Sequence, residues 1–432
     1  MNSALRTGQH GQRGAATLVV VMMLFLIMAL LAAYANRSLL FEQRVATSYI
    51  RAGLAQEAAE GAVEWTLAQL NGTAVDANCK PVENAGQRFA DKYLAFDLSD
   101  RRLTSRIRPA VPQLVDCARD VANGGWACRC PQADADRVPR ESLGGDQMTP
   151  SFAIRFREAK RSGTMELIGL GCTDSVVDRC LEDVNRIKLS KSQIGFARAT
   201  VLVGLVSAVR TPPAAPLVVK GHVNSSGAGL GLHNSDARSS GLLATIGGAW
   251  TSPVESRLDT VPGSAVSQAI LQGDAGLGAA SAEAVFMMYM GTSLARYPQH
   301  AALRTLACNG DCSADLAAAY AAGQRMVWVS GTLSIGSNRV LGSVNDPLLI
   351  VATGDVTLDG PFQLNGMLVT PGNVSWANDT GLPSLINGIL LVGGNLQTSG
   401  RMDIAYQQTV ADHLRNRMGS FVRVSGSWID GK

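Results

Sequence analysis

The sequence predicts an α+β protein with a long N-terminal helix, a small sheet-containing head, and a C-terminal β-solenoid, parallel β-helix-like, that carries a helical insertion. Three patterns predict it. Apolar residues recur at three- and four-residue spacings from residue 15 to residue 70 with no proline between them. Short apolar runs among six cysteines fill residues 72–210. A Gly-x-apolar unit then returns roughly every 20 residues beyond a proline-marked linker.

Composition agrees. Apolar side chains make up 46% of the 432 residues, enough for a packed core in two or three domains. Forty-five glycines and only 5% aromatic residues favour turn-rich β structure over a helical bundle. The net charge of +3, with no basic run, leaves no electrostatic footprint for nucleic acid.

The N-terminal residues 1–14 carry Arg6 and Arg13 and no acidic side chain, and residues 15–36 are uncharged with a dense apolar stretch at 18–31. At about 1.5 Å per residue the uncharged segment reaches roughly 33 Å, enough for a bilayer core. Basic residues ahead of it keep that end cytoplasmic and put the C-terminal bulk outside. A secretory signal peptide is the ordinary alternative, with Ala33-Tyr34-Ala35 as its small-x-small cut. The helical pattern, however, continues through Phe41, Val45, Tyr49, Leu54, Ala58, Ala62, Trp65 and Leu70, and stops at Asn71-Gly72. Half of this rod, about 84 Å long, would lie in lipid and half would be an amphipathic spine under the head.

A basic leader ending in Gly14, small Ala15 and Ala16, then Thr17-Leu18 and an apolar helix running into a head resembles a type IV prepilin. Gln12-Arg13-Gly14-Ala15-Ala16, Phe41-Glu42-Gln43-Arg44 and Ala58-Ala59-Glu60-Gly61 are most similar to the PilX group of minor pilins. With the patterns above, this divides the chain into a leader (1–14), a transmembrane and amphipathic pilin helix (15–71), a pilin-like α+β head (72–210) and a solenoid domain (211–432) with its insertion near 264–324. The resemblance implies cleavage after Gly14 by prepilin peptidase and N-methylation of Ala15. It implies a bacterial inner-membrane protein, single-pass with its head outside the cytoplasm, that passes into the pilus. The implied partners are other minor and major pilins, the inner-membrane assembly platform and the membrane. It implies neither a cofactor nor an enzymatic activity. Helix packing would run through Ala15, Ala16, Ala29, Ala32 and Ala33, which allow close approach, and past Val19.

Val19 departs from the pattern of major pilins, which carry a glutamate at this fifth mature position. A carboxylate there pairs with the N-terminal amine of a neighbouring subunit, since either charge alone is costly in lipid. Val19 cannot make that pair, which suits the end of a filament. The function implied is a minor pilin that primes pilus assembly with other minor pilins. Some type II secretion tip pseudopilins also lack the glutamate, and form one alternative. A membrane-anchored or secreted β-solenoid that binds or cleaves polysaccharide is the other.

All eight cysteines lie outside the apolar segment, and an even count after an export signal favours disulfides. Cys172–Cys180 and Cys308–Cys312 are the local pairs expected. Cys79, Cys117, Cys128 and Cys130 are expected to pair among themselves, in an order left open. Cys128-Arg129-Cys130 is half a zinc site with no histidine nearby, so no metal is expected.

In the head, the runs at 152–154, 165–170 and 197–206 read as strands packed on the helix. Past Pro212-Pro213 and Pro216, the repeat appears at Gly221-His222-Val223, Gly331-Thr332-Leu333, Gly354-Asp355-Val356, Gly372-Asn373-Val374 and Gly394-Asn395-Leu396. A second beat is Leu364-Asn365-Gly366 and Ile386-Asn387-Gly388. Such periods suit stacked parallel strands, with glycine expected where φ turns positive; an antiparallel sandwich is the competing fold. Residues 279–290 and 314–322 look helical and interrupt the repeat.

No catalytic residues are expected. Gly227-x-Gly229-x-Gly231 and the glycines of residues 273–278 lack the strand–turn–helix setting of a phosphate site. His233 with Asp236, and His300, lack a nucleophile elbow. Asp355 and Asp359 sit where turn aspartates are common.

Overall fold

The computed structural model describes residues 13–83, 86–107, 115–120, 122–136, 148–180, 194–336 and 338–431. Residues 1–12 of the expected leader (1–14) lie outside them. Gly14 and Ala15 fall in the first turn of a single helix, Arg13–Leu70, of 58 residues.

This helix has two halves. Every residue from 16 to 46 is exposed, including Ala16, Val19, Ala29, Ala32 and Ala33. The second half buries Ala55, Ala58, Ala59, Ala62, Val63 and Leu70 against the head. Strands Ser151–Glu158, Thr164–Cys172 and Phe196–Ser207 form an antiparallel sheet over that face, extended at one edge by the hairpin of Asp116–Arg119 and Trp126–Arg129. Glycines let the sheet approach the helix backbone: a Cβ on Gly169 would lie 2.3 Å from the Ala59 carbonyl oxygen. Trp65 on the helix packs edge-on to Phe89 and against Phe152, which anchors the spine laterally.

The sequence reading ended the head at residue 210, but the chain returns to it. Gly419–Arg423 and Ile429–Gly431 pair antiparallel with Phe196–Ser207, Gly419 opposite Ser207. The head sheet therefore needs the C-terminal strands, and the solenoid is spliced between two of its paired strands.

Beyond Pro216 the chain stacks into parallel rungs. One row of strands runs Leu303–Leu306, Met326–Val329, Leu348–Ala352, Gln363–Thr370, Leu385–Val392, Leu217–Val219, Ala244–Ile246, Ile270–Gln272. A second row runs Leu333–Ile335, Val356–Asp359, Val374–Asn378, Leu396–Ala405, Val223–His233, Trp250–Thr251. Inward side chains such as Leu333, Val356, Val374, Leu396 and Val223 stack into one buried core. Rung order is not sequence order. The first rung in sequence sits against the last, with Leu217 opposite Leu390 and Val223 opposite Leu396. The chain climbs to Ile270–Gln272, continues through helices Ala275–Ala279 and Ala282–Met290, and restarts at the far end with Leu303–Leu306. The expected insertion at 264–324 is thus partly rungs, since Ile270–Gln272 and Leu303–Leu306 both belong to the first row. Entry and exit meet at mid-stack, which lets both ends of the domain connect to the same head strand.

The glycines of the repeat occupy the turn between the two rows, and positive φ, the reason expected, accounts for only some of them. Positive φ holds at Gly331 (φ 92), whereas Gly372 and Gly394 are required by crowding. A Cβ at Gly372 would lie 2.6 Å from Asp355 Oδ1, and one at Gly394 2.6 Å from Asn373 Oδ1. Those oxygens belong to a ladder. Asp355 Oδ1 accepts from the Asn373 backbone N–H (2.7 Å), Asn373 Oδ1 from that of Asn395 (2.9 Å), and Asn395 Oδ1 from that of His222 (2.8 Å).

Candidate functional site

The surface that sets this molecule apart is the first half of its helix. Between Leu18 and Tyr49 the large apolar side chains are uncovered; Phe25 is 72% exposed and Tyr49 76%. Removing such a surface from water is favourable by about 25 cal/mol per Å², so the rod calls for lipid or for other apolar helices. The segment is long and apolar enough to cross a membrane. No acidic residue stands in its first turn.

Residues 13–64 match the PilX N-terminal family. This segment is that of a PilX-like type IV pilin. No curated protein and no solved structure matches the chain. The matched helix and the parallel C-terminal stack give the chain the α+β architecture read from its sequence. A long apolar N-terminal helix in a pilin family fits a membrane-anchored, single-pass protein that interacts with other pilins.

How rigidly the solenoid is carried depends on its junction with the head. Arg88 Nε donates to Asp91 Oδ2 (2.6 Å) and Arg417 Nη2 to Asp91 Oδ1 (2.8 Å). Arg325 Nε donates to Asp346 Oδ2 (2.8 Å), and Arg417 Nη1 reaches the Asn345 carbonyl (3.1 Å). Burial alone would raise the Asp91 carboxyl, but Arg88 and Arg417 outweigh it and hold it at about 2. Head, solenoid and return segment share this ionic cluster, so the solenoid is fixed in orientation on the spine.

The cysteines divide by domain. Cys79–Cys130, Cys117–Cys128 and Cys172–Cys180 are disulfides, and all of them brace the head. Cys308 and Cys312, expected as a local pair, are free. Cys312 is buried with Leu316 and Ala319 in the solenoid core, its Sγ directed to the Gly310 carbonyl at 3.6 Å, while Cys308 is only partly covered. Burial, aided by hydrogen bonding to Cys312, pushes the Cys308 thiol up to about 12.

The residues weighed for chemistry have structural partners. His233 bridges Asp259 Oδ2 and Asp403 Oδ1, each at 3.0 Å, and Arg257 reaches the same Asp403 oxygen (2.5 Å). Asp236 caps the short turn Ala237–Ser239, and His300 Nδ1 meets Ser420 Oγ at 3.1 Å. Gly227 and Gly229, both at positive φ, make the irregularity inside Val223–His233. Asp274 caps Ala275–Ala279. Asp355 belongs to the ladder, and Asp359 stands exposed at the end of its strand. Among the described residues, no group of three or more His, Cys, Asp or Glu is gathered as a metal site requires.

Sequence reasoning missed two positioning features. One is the junction cluster, whose members lie too far apart in sequence to suggest one another. The other is the set of glycines facing the helix, Gly169, Gly171 and Gly195, which read as ordinary strand and loop glycines.

Proposed function

We propose that the protein is a minor pilin that joins other minor pilins in the bacterial inner membrane, primes type IV pilus assembly and sits at the filament tip. The observation that carries this is the unbroken exposure of residues 16–46 on a helix whose remainder is locked to a head. A rod that is bound at one end and bare at the other is built to dock against sister rods in lipid, with Ala16, Ala29, Ala32 and Ala33 permitting close approach. Val19 in place of a carboxylate, together with a spliced-in solenoid too bulky for every subunit, favours the tip. Arg6 and Arg13 ahead of the span put the head outside the cytoplasm. Prepilin peptidase would cut after Gly14, and the inner-membrane platform would extract the assembled group. The part played is structural, with no catalytic step.

Mass spectrometry of the mature N-terminus tests this. The expected product begins at N-methylated Ala15, and Gly14→Asp leaves the leader in place. A mature chain beginning at Asn36, or a Gly14→Asp chain of unchanged mass, removes the reading.

A further inference from the structure

The solenoid carries a polar face on its second row of strands. Ser334, Thr357, Ser375, Gln397, Asn224 and Thr251 stand in register on six successive rungs: Ser334 opposite Thr357, Thr357 opposite Ser375, Ser375 opposite Gln397, Gln397 opposite Asn224, and Asn224 opposite Thr251. All six are uncharged, and each offers a hydroxyl or an amide. Thr357, Ser375, Gln397, Asn224 and Thr251 are exposed. Among the described residues, the side chains of Thr357, Ser375, Gln397 and Asn224 make no hydrogen bond within the chain. The row beside them behaves differently, because Asp355, Asn373 and Asn395 use their side-chain oxygens in the ladder. The ladder holds the rungs in register while the free row faces outward.

The face is also concave. Two adjoining hollows of about 550 Å³ and 290 Å³ share Asn224, Ser375 and Gln397 in their linings. Their lining includes no Lys or Arg; Asp355 and His222 are its only ionisable side chains, and among Phe, Tyr and Trp it has only Trp376, which is buried.

We propose that this face is a binding site for a neutral, hydroxyl-rich glycan strand laid across the rungs. The chemistry selects that class. A nucleic acid or an anionic headgroup needs cations to replace its counterions, and none is present. An apolar peptide or acyl chain needs an apolar lining, whereas the exposed groups here are polar. A sugar hydroxyl both donates and accepts, as do hydroxyl and carboxamide side chains, so each rung can replace the water it displaces without leaving a group unpaired. Rungs about 4.8 Å apart set six such groups along roughly 24 Å, room for several sugar units. Without an exposed Trp, Tyr or Phe ring to stack on, each contact is weak. Affinity is therefore built from repetition, and it grows with the length of the strand until the row is filled. The inference does not depend on the pilin reading, since a chain with a different N-terminal fate would keep the same face.

The test uses the full chain in detergent micelles on an array of neutral glucans and mannans alongside acidic polysaccharides, followed by titration with short and long oligosaccharides of a bound neutral series. Binding to neutral chains is expected, tighter for long than for short ones by about tenfold. The exposed double variant Ser375→Ala/Gln397→Ala should lose about tenfold in affinity at an unchanged melting temperature, and Ser267→Ala, exposed outside this face, should lose nothing. Silence across the neutral glycans, binding to acidic polymers alone, or affinity indifferent to the double variant each overturns the proposal.

Discussion

The carboxamide of Asn71 makes both hydrogen bonds to the backbone of Phe421: Nδ2 donates to its carbonyl (2.9 Å), and Oδ1 accepts from its N–H (2.8 Å). Asn71 closes the long helix, and Phe421 lies in the strand that returns from the solenoid 350 residues later. The side chain acts as one residue of an extra strand, and the groups it satisfies are buried. Asn71→Ala leaves a donor and an acceptor without partners. The expected cost is on the order of 3 kcal/mol, read by urea denaturation of the detergent-solubilised chain. A variant as stable as the parent would mean that the return strand is held by its ladder alone.

Close approach of helix and sheet gives a second prediction. A Cβ on Gly171 would lie 2.0 Å from the Ala55 carbonyl oxygen and 2.5 Å from the Ala59 backbone nitrogen, with no flexible side chain able to yield. Gly171→Ala should cost about 3 kcal/mol through forced separation of spine and sheet. Gly125→Ala, with nothing within 4 Å, should change stability by less than about 0.5 kcal/mol. Equal melting temperatures for the two variants would refute the packing described.

Much of this architecture was legible because it is written in local periodicity. The spacing from Phe41 to Leu70 and the stop at Asn71-Gly72 mark the helix, and Gly-x-apolar marks each turn between the two rows of strands. What stayed hidden is pairing between segments far apart in sequence. Ser420-Phe421-Val422 has the composition of a strand, but nothing in it names Phe196–Ser207 as its partner. Likewise Gly221 reads as one more repeat, while its place beside Gly394 follows from the chain re-entering the stack at its far end. The repeat glycines were found for an incomplete reason: local sequence suggests positive φ, but the atom that forbids a side chain at Gly372 is an oxygen of the preceding rung. The polar row was hidden for the same reason, since single Ser, Thr, Asn and Gln residues gain meaning only when register aligns them.

Cysteine chemistry separates the head from the solenoid. The head disulfides leave Cys308 and Cys312 as thiols, and a Cys308 thiol pushed up to about 12 stays protonated at neutral pH, so it reacts slowly. Iodoacetamide should label neither residue appreciably in the folded chain, and should add two groups once the chain is unfolded without reductant. An unfolded, unreduced chain that takes up no label would show a fourth disulfide between them.

Two histidines give the molecule opposite responses to acid. His413 lies in the helix Gln408–Asn416, with Arg417, Asp346, Asp412 and Asp91 around it. Burial, with help from Arg417, lowers it from 6.5 to about 4 against the pull of the three carboxylates. Between those values the unfolded chain binds a proton that the folded chain refuses, so the stability present above pH 6.5 drains away as pH falls to about 4. The full shift amounts to on the order of 3 kcal/mol. His233 is raised above 6.5, chiefly by its hydrogen bond to Asp403, so its contribution is complete below pH 6.5 and is lost as pH rises through its folded value. Hydrogen exchange, corrected for intrinsic rates, should therefore show residues 408–423 losing protection from pH 7 to pH 4.5 while residues 254–260 keep theirs. In His413→Gln the loss at 408–423 should shrink to what Asp91 imposes, which begins only as pH falls below about 3.8 and is complete near 2. If the variant loses protection over the same interval as the parent, the buried imidazole is not the acid-sensitive element, and the ionic cluster at the junction must be titrating instead.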